Sequence, residues 1–178
     1  MSISTRYARA LWESAKEHPI AEQRQIYEKM ILLRGCLLSM PELRSALESP
    51  TTTDETKRKL LLTAGGTDNS PLYESFVNLI LSHRRANKLI WIVPVYTDMY
   101  RRAQGIVSVM VESAAPISDE TRDKIVMHLN AMLKSEVECY YKVLPELVGG
   151  FRLRIGDKRI DASYKRKLED IRRELMGN

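Results

Sequence analysis

Gln104-Gly105-Ile106-Val107-Ser108-Val109-Met110-Val111-Glu112-Ser113 is the stretch on which the fold turns. Val107, Val109 and Val111 alternate with Ser108, Met110 and Glu112, the period-two pattern of a half-buried strand. Everything before it reads at helical period instead. The change of period at Gly105 therefore predicts an α+β chain: a six-helix bundle over residues 1–104, then a small α+β domain over 105–178.

Working back from Gly105, Ile3, Tyr7, Ala10, Leu11 and Ser14 recur at helical spacing, with Arg6, Arg9 and Glu13 on other faces. A longer second helix carries Tyr27, Met30, Ile31, Leu37 and Leu38, and Ser39 is placed to cap a short helix around Glu42 to Leu47. Pro50 and three threonines break the chain. Asp54 to Ala64 resumes helix through Leu60, Leu61 and Leu62, and Gly65-Gly66 ends it. Ser70-Pro71 is an N-cap followed by proline at the first helical position, ahead of Phe76, Val77, Leu79 and Ile80. Leu89 to Arg102 forms the last helix, where Pro94 predicts a kink or a late start.

Working forward, Ser118 caps a helix whose first turn carries Asp119 and Glu120, favourable at the positive end of the helix dipole. Ile125, Leu129, Met132 and Leu133 give it one apolar face. Alternation returns at Val137, Cys139, Tyr141 and Val143. Phe151, Leu153 and Ile155 then alternate with Arg152 and Arg154, and Gly156-Asp157 reads as a two-residue turn that sets Leu153 opposite Ile160 and Phe151 opposite Ala162. Tyr164, Leu168, Ile171 and Leu175 mark a final helix.

The composition limits the function classes. The chain has 178 residues with a net charge of +5, 44% hydrophobic and 29% charged, within the ordinary globular range. The charge splits +4 up to Gln104 and +1 beyond it, in short basic clusters among acidic neighbours, which suits solvated helix faces better than a phosphate-binding stripe. Leu89 to Tyr96 is too short an apolar run to cross a bilayer, which takes about 20 residues. No secretory leader opens the chain, so a soluble, intracellular protein is expected. His18, His83 and His128 lie apart, and neither Cys36 nor Cys139 belongs to a Cys-x-x-Cys pair, so no metal or cofactor site is expected. Both cysteines read as small core residues. Gly65-Gly66 and Gly149-Gly150 lack the Lys-Ser/Thr of a phosphate loop, and Asp157 and Asp161 suit a turn and a strand end. No catalytic set converges.

Four segments, in order, resemble one family. Arg6-Tyr7-Ala8-Arg9-Ala10-Leu11 is similar to its opening Tyr-Ala-x-Ala helix, and Phe76-Val77-Asn78-Leu79-Ile80-Leu81 with Arg84-Arg85 and Leu89 to its fifth helix. Ala114-Ala115-Pro116-Ile117-Ser118 resembles its Ala-x-Pro-Leu-Ser stretch. The most specific match is Leu147-Val148-Gly149-Gly150-Phe151 through Ile155-Gly156-Asp157 to Ile160-Asp161-Ala162-Ser163. The family is the delta subunit of the F-type ATP synthase, called the oligomycin-sensitivity-conferring protein in mitochondria. Leu144 stands before Pro145 where the family often has an acidic residue, and Pro94 is a second departure.

The resemblance implies a non-catalytic stator subunit that holds the alpha/beta head against rotor torque. The N-terminal domain is expected to bind N-terminal segments of the alpha subunits in a groove where Tyr7, Ala10, Leu11 and Ser14 face Leu79 and His83. Tyr7 and Leu11 also suit a bundle core, Tyr7 less so because its hydroxyl prefers a wet edge. The C-terminal domain is expected to engage b subunits of the peripheral stalk, with Phe151, Tyr164 and Leu168 as candidates. No nucleic acid, cofactor or direct membrane insertion is implied. The protein would be peripheral, on the cytoplasmic side of a bacterial inner membrane. The pI keeps one alternative, a basic RNA-binding or ribosome-associated adaptor.

Overall fold

A computed structural model describes residues 2–66, 68, 70–147, 150–155 and 158–161, the last four by backbone alone. Six α-helices come first: α1 (Ile3–Lys16), α2 (Ile20–Ser39), α3 (Pro41–Glu48), α4 (Asp54–Ala64), α5 (Pro71–Ser82) and α6 (Leu89–Gln104), with a 3-10 turn at Ala86–Lys88. Then follow β1 (Val107–Ser113), α7 (Asp119–Leu133), β2 (Val137–Val143), a 3-10 turn at Pro145–Leu147, β3 (Phe151–Ile155) and β4 (Lys158–Asp161). The chain divides into two compact units, Met1–Ala103 and Gln104–Asn178.

In the first unit the helices start where side chains replace missing backbone partners. Ser2, Thr53 and Ser70 accept from the amides of Thr5, Thr56 and Tyr73 at 3.1, 3.2 and 3.4 Å. Ser39 does not cap α3. It is the last residue of α2, donating its hydroxyl back to the Gly35 carbonyl at 2.8 Å, while Met40 precedes Pro41 at the first position of α3. Proline needs no capped amide there. One core joins Ala8 and Leu11 of α1, Ile26, Met30, Leu33 and Leu37 of α2, Leu43 and Leu47 of α3, Leu61 of α4, Phe76, Val77 and Ile80 of α5, and Leu89, Ile92 and Tyr96 of α6. Leu38 is 60% exposed, so the inward stripe of α2 runs through Leu33 and Leu37.

Two local devices fix the α4–α5 corner. The Tyr73 hydroxyl, buried beneath it, donates to the Leu61 carbonyl at 2.7 Å. A Cβ at position 65 would meet that ring at 2.5 Å, so Gly65 is required by space. The buried Lys29 ammonium donates to the Gly65 and Asp68 carbonyls at 3.3 and 2.6 Å, pinning the corner to α2. Pro94 does not delay α6, which begins at Leu89 and continues past it, with the Thr97 hydroxyl donating to the Pro94 carbonyl at 3.0 Å.

In the second unit the sheet order is β2-β1-β3-β4, with β1 parallel to β2 and the other pairs antiparallel. A parallel pair needs a crossover, and α7 supplies it. Ser118 caps α7 by accepting from the Thr121 amide at 3.4 Å. Ile125, Leu129 and Leu133 lie against Val109, Val111, Val137 and Leu153. Met132 is 51% exposed and stands off that face. Leu153 pairs with Ile160 as the alternation predicts, whereas Gly156, Asp157, Ala162 and the final helix expected around Tyr164 to Leu175 fall outside the described residues.

Candidate partner-binding site

Helix α1 sends Ala8, Leu11 and Ala15 into the core. One helical step round from them, Tyr7, Ala10 and Ser14 form a row at i, i+3, i+7 that stays at the surface: Tyr7 and Ser14 are half-buried and Ala10 is exposed. Ile3, 38% exposed, extends the row by one turn. Its apolar spacing is plain in the sequence, and the expected site stopped one residue short of it.

Helix α5 ends in a Schellman turn. The Arg84 amide donates to the Leu81 carbonyl and the Arg85 amide to the Ile80 carbonyl, both at 2.8 Å. Arg84 takes φ +54, the left-handed conformation that glycine adopts freely. This turn swings His83 outward. Its Nδ1 lies 2.9 Å from the Leu79 carbonyl, which can only accept, so Nδ1 carries the proton and Nε2 is left to face outward.

The two helices meet there. The Tyr7 and His83 rings lie edge to face, centroids 6.1 Å apart at 67°. Leu79, 40% exposed, stands one turn before His83. Tyr7, Leu79 and His83 are thus brought to one corner, with Ala10 and Ser14 continuing along α1. Leu11 is not on this surface. At 4% exposure it belongs to the core, where a leucine is worth about 2 kcal/mol and holds α1 in place. An exposed alanine beside an aromatic edge leaves room for a helix to approach, and the apolar steps along the row match one face of an amphipathic helix.

Two further features were not anticipated. Cys36, Met40, Leu43, Ala46, Leu60 and Ala64 line a cavity of about 570 Å³ between α2, α3 and α4. The leucine run at 60–62 was its one signal: Leu61 faces the core and Leu60, 36% exposed, the groove. Cys36 is half-buried there, less enclosed than a core cysteine. The other is an aromatic cluster in which Trp12 meets Tyr96 and Tyr100 edge-on at 6.4 and 6.2 Å, and Tyr27 stacks on Tyr100 at 4.3 Å.

In the second unit Phe151 is 45% exposed at the start of β3, whereas Tyr164 and Leu168 lie outside the described residues. Burial pushes the Tyr141 phenol up to about 12, with the nearby Cys139 adding to the effect, and burial also raises the Cys139 thiol. Cys139 is half-buried against the cluster under α7. Among the described residues there is no group of three metal-ligating side chains, and no helix is long and apolar enough to cross a membrane.

The family model described as ATP synthase delta (OSCP) subunit matches residues 3–175. An ATP synthase subunit delta of Parabacteroides distasonis is 40% identical, covering 99% of this chain and 97% of that protein. One of Phocaeicola vulgatus is 33% identical over 98% of this chain and 94% of its own length. Among solved structures, a chain in the cryo-EM structure of the Toxoplasma gondii mitochondrial ATP synthase hexamer superposes with a TM-score of 0.72 at 17% identity, covering 100% of this chain and 99% of that one. That likeness is one of fold.

Proposed function

We propose a division of labour that proceeds from one premise: the chain belongs to the ATP synthase delta (OSCP) subunit family. It is a non-catalytic stator subunit of the ATP synthase, linking the catalytic head to the peripheral stalk. Both relatives named above are ATP synthase delta subunits, which gives the RNA-binding alternative no support. In our reading helices α1–α6 act as one bundle that takes an N-terminal segment of an alpha subunit. The second unit takes the ends of the b subunits, with Phe151 as an exposed anchor. The protein then sits on the cytoplasmic side of a bacterial inner membrane, held there by its partners.

The observation that carries the alpha-subunit reading is the α1–α5 corner. Tyr7 and His83 touch across it, Leu79 is exposed beside them, and Ala10 leaves space along the same row. A helix laid there would bury Ile3, Leu79 and the Tyr7 ring without moving the core. A stator contact has to outlast many rotor steps, so nanomolar binding or tighter is required, about 12 kcal/mol.

The test is Ala10→Asp. Position 10 is exposed, so the substitution leaves the helical circular-dichroism signal unchanged, yet it sets a carboxylate where the partner's apolar face would lie. Capture of an alpha N-terminal peptide is expected to weaken by roughly 100-fold, the loss of about 2–3 kcal/mol that an unpaired buried charge implies. Unchanged capture by a folded Ala10→Asp chain removes the site from α1.

A further inference from the structure

The sheet order leaves β2 at one end, with β1 on its inner side. The ladder between them fixes where the backbone groups of β2 point. The Val107 amide donates to the Glu136 carbonyl at 2.9 Å and the Leu144 amide to the Ser113 carbonyl at 2.7 Å, so the even-numbered residues from Glu136 to Leu144 serve β1. The amides and carbonyls of Val137, Cys139, Tyr141 and Val143 therefore face away from the sheet. The Val137 amide bears this out by donating to Oδ1 of Asn130 on α7, at 2.8 Å. Among the described residues no strand pairs with β2 on that outer side. A row of outward backbone groups is a template for one more strand.

The side chains of β2 decide which strand fits. Val137, Cys139 and Tyr141 join the cluster under α7, so Glu138, Tyr140 and Lys142 lie on the opposite face, with Tyr140 at the centre of Val137–Val143. Laid antiparallel on a copy of itself over its full length, β2 sets Val137 opposite Val143, Cys139 opposite Tyr141 and Glu138 opposite Lys142. Outward backbone groups then meet outward groups, as an antiparallel ladder requires. Both charge contacts join opposite signs, with Cβ atoms about 5 Å apart. A slip of one residue sets outward groups against inward ones, and a slip of two parts Glu138 from Lys142. A lysine on an edge strand ordinarily repels another edge, but here an acid at the mirror position makes it a match. Helix α7 extends the surface. Its Arg122 and Asn130 reach β2, and Met127, one turn before Asn130, is 69% exposed.

We propose that strand β2 joins a second copy of this chain edge to edge, antiparallel, about a two-fold axis at Tyr140. The interface is isologous, the same residues serving on both copies. The axis stands perpendicular to the sheet, so both α7 helices come to one face and the Met127 side chains are covered between them. Phe151 lies on β3, two strands from this edge, and stays exposed, so the inference is independent of the stalk reading.

Charge reversal tests it in the full-length chain by sedimentation equilibrium. The native chain is expected to be dimeric at ~100 μM, and Glu138→Lys or Lys142→Glu alone to raise the dissociation constant at least ~10-fold, since each sets like charges opposite each other at both contacts. An equal mixture of the two variants restores opposite signs at both contacts and is expected to dimerise within about threefold of the native chain. A monomeric native chain, or a mixture no stronger than its components, overturns the proposal. A second measurement leaves the charges in place. With Cys36→Ala and Cys139→Ala, Tyr140→Cys puts one thiol on the two-fold axis, opposite its own copy. Mild oxidation should link two such chains at least ~10-fold faster than chains carrying Lys142→Cys, whose thiols fall far outside the ~4 Å Cβ separation that a disulfide needs. Equal rates overturn the register, and with it the proposal.

Discussion

Arg84 has no side-chain reason, among its described contacts, to occupy the left-handed region. It sits at the residue after the α5 cap with φ +54, where a Cβ costs about 1 kcal/mol and glycine costs almost nothing. Arg84→Gly is therefore expected to raise the stability of the helical unit by about 1 kcal/mol, read as a shift of the urea midpoint at constant slope. The gain is reduced by the loss of a positive charge at the negative end of α5. A midpoint that falls would mean that the guanidinium holds the α5–α6 turn. Gly65 is the opposite case. It needs no left-handed backbone, but the Tyr73 ring leaves no room for a methyl group there.

Between elements, the seam of α7 and β2 carries a sensitivity to alkali. Tyr141 of β2 donates to the Arg122 carbonyl of α7 at 3.4 Å, and the Arg122 guanidinium stands 4.9 Å from its ring. Burial raises this phenol from its ordinary 10.0 to about 12 in the folded chain. Between those values the unfolded chain has lost the proton and the folded chain keeps it, so unfolding releases a proton and stability falls as pH rises from 10 toward 12. Below pH 10 the contribution is fully present. Denaturant midpoints followed across that window should fall for the native chain and fall less for Tyr141→Phe. Identical slopes would remove Tyr141 from the alkaline response. At Pro94 the helix runs on because the neighbouring helices bury Leu89, Ile92, Val93 and Tyr96 on one side, and tertiary packing outweighs the one backbone bond that proline forfeits.

For the whole molecule, the charge of +5 has to be weighed against the apolar character of the α1–α5 corner. Binding carried by burial of Ile3, Leu79 and the Tyr7 ring responds weakly to ionic strength, whereas a contact carried by many ion pairs with phosphates loses affinity by orders of magnitude over the same range. Affinity for an alpha N-terminal peptide is expected to change by less than about tenfold between 50 and 300 mM salt, measured by calorimetry. A steep loss would return the basic clusters to the centre of the function. The same contrast explains why a pI of about 9.2 misleads when taken alone: Arg58 is committed to Glu74 at 2.9 Å and Arg24 to Glu28 at 3.1 Å.

Element types were written locally and could be read locally. The valine alternation after Gly105, the Ser70 and Ser118 caps, the proline at position 71 and the glycines at 65–66 each act within a few residues, so they specify strand, helix start and helix end without knowledge of the rest. The family signature is local in the same sense, a set of short segments in order. Which of two adjacent leucines points inward is a different kind of fact. Leu11 entered the core while Tyr7 stayed at the edge, Leu38 turned out while Leu37 turned in, and Met132 left a face its spacing had granted it. Helical periodicity fixes a stripe only to within about a third of a turn, and the neighbouring helix decides the remainder. The meeting of Tyr7 with His83 belongs to that remainder. Seventy-six positions separate them, and no propensity spans that distance; only the packing of α1 against the end of α5, set by the common core beneath them, brings the two rings together.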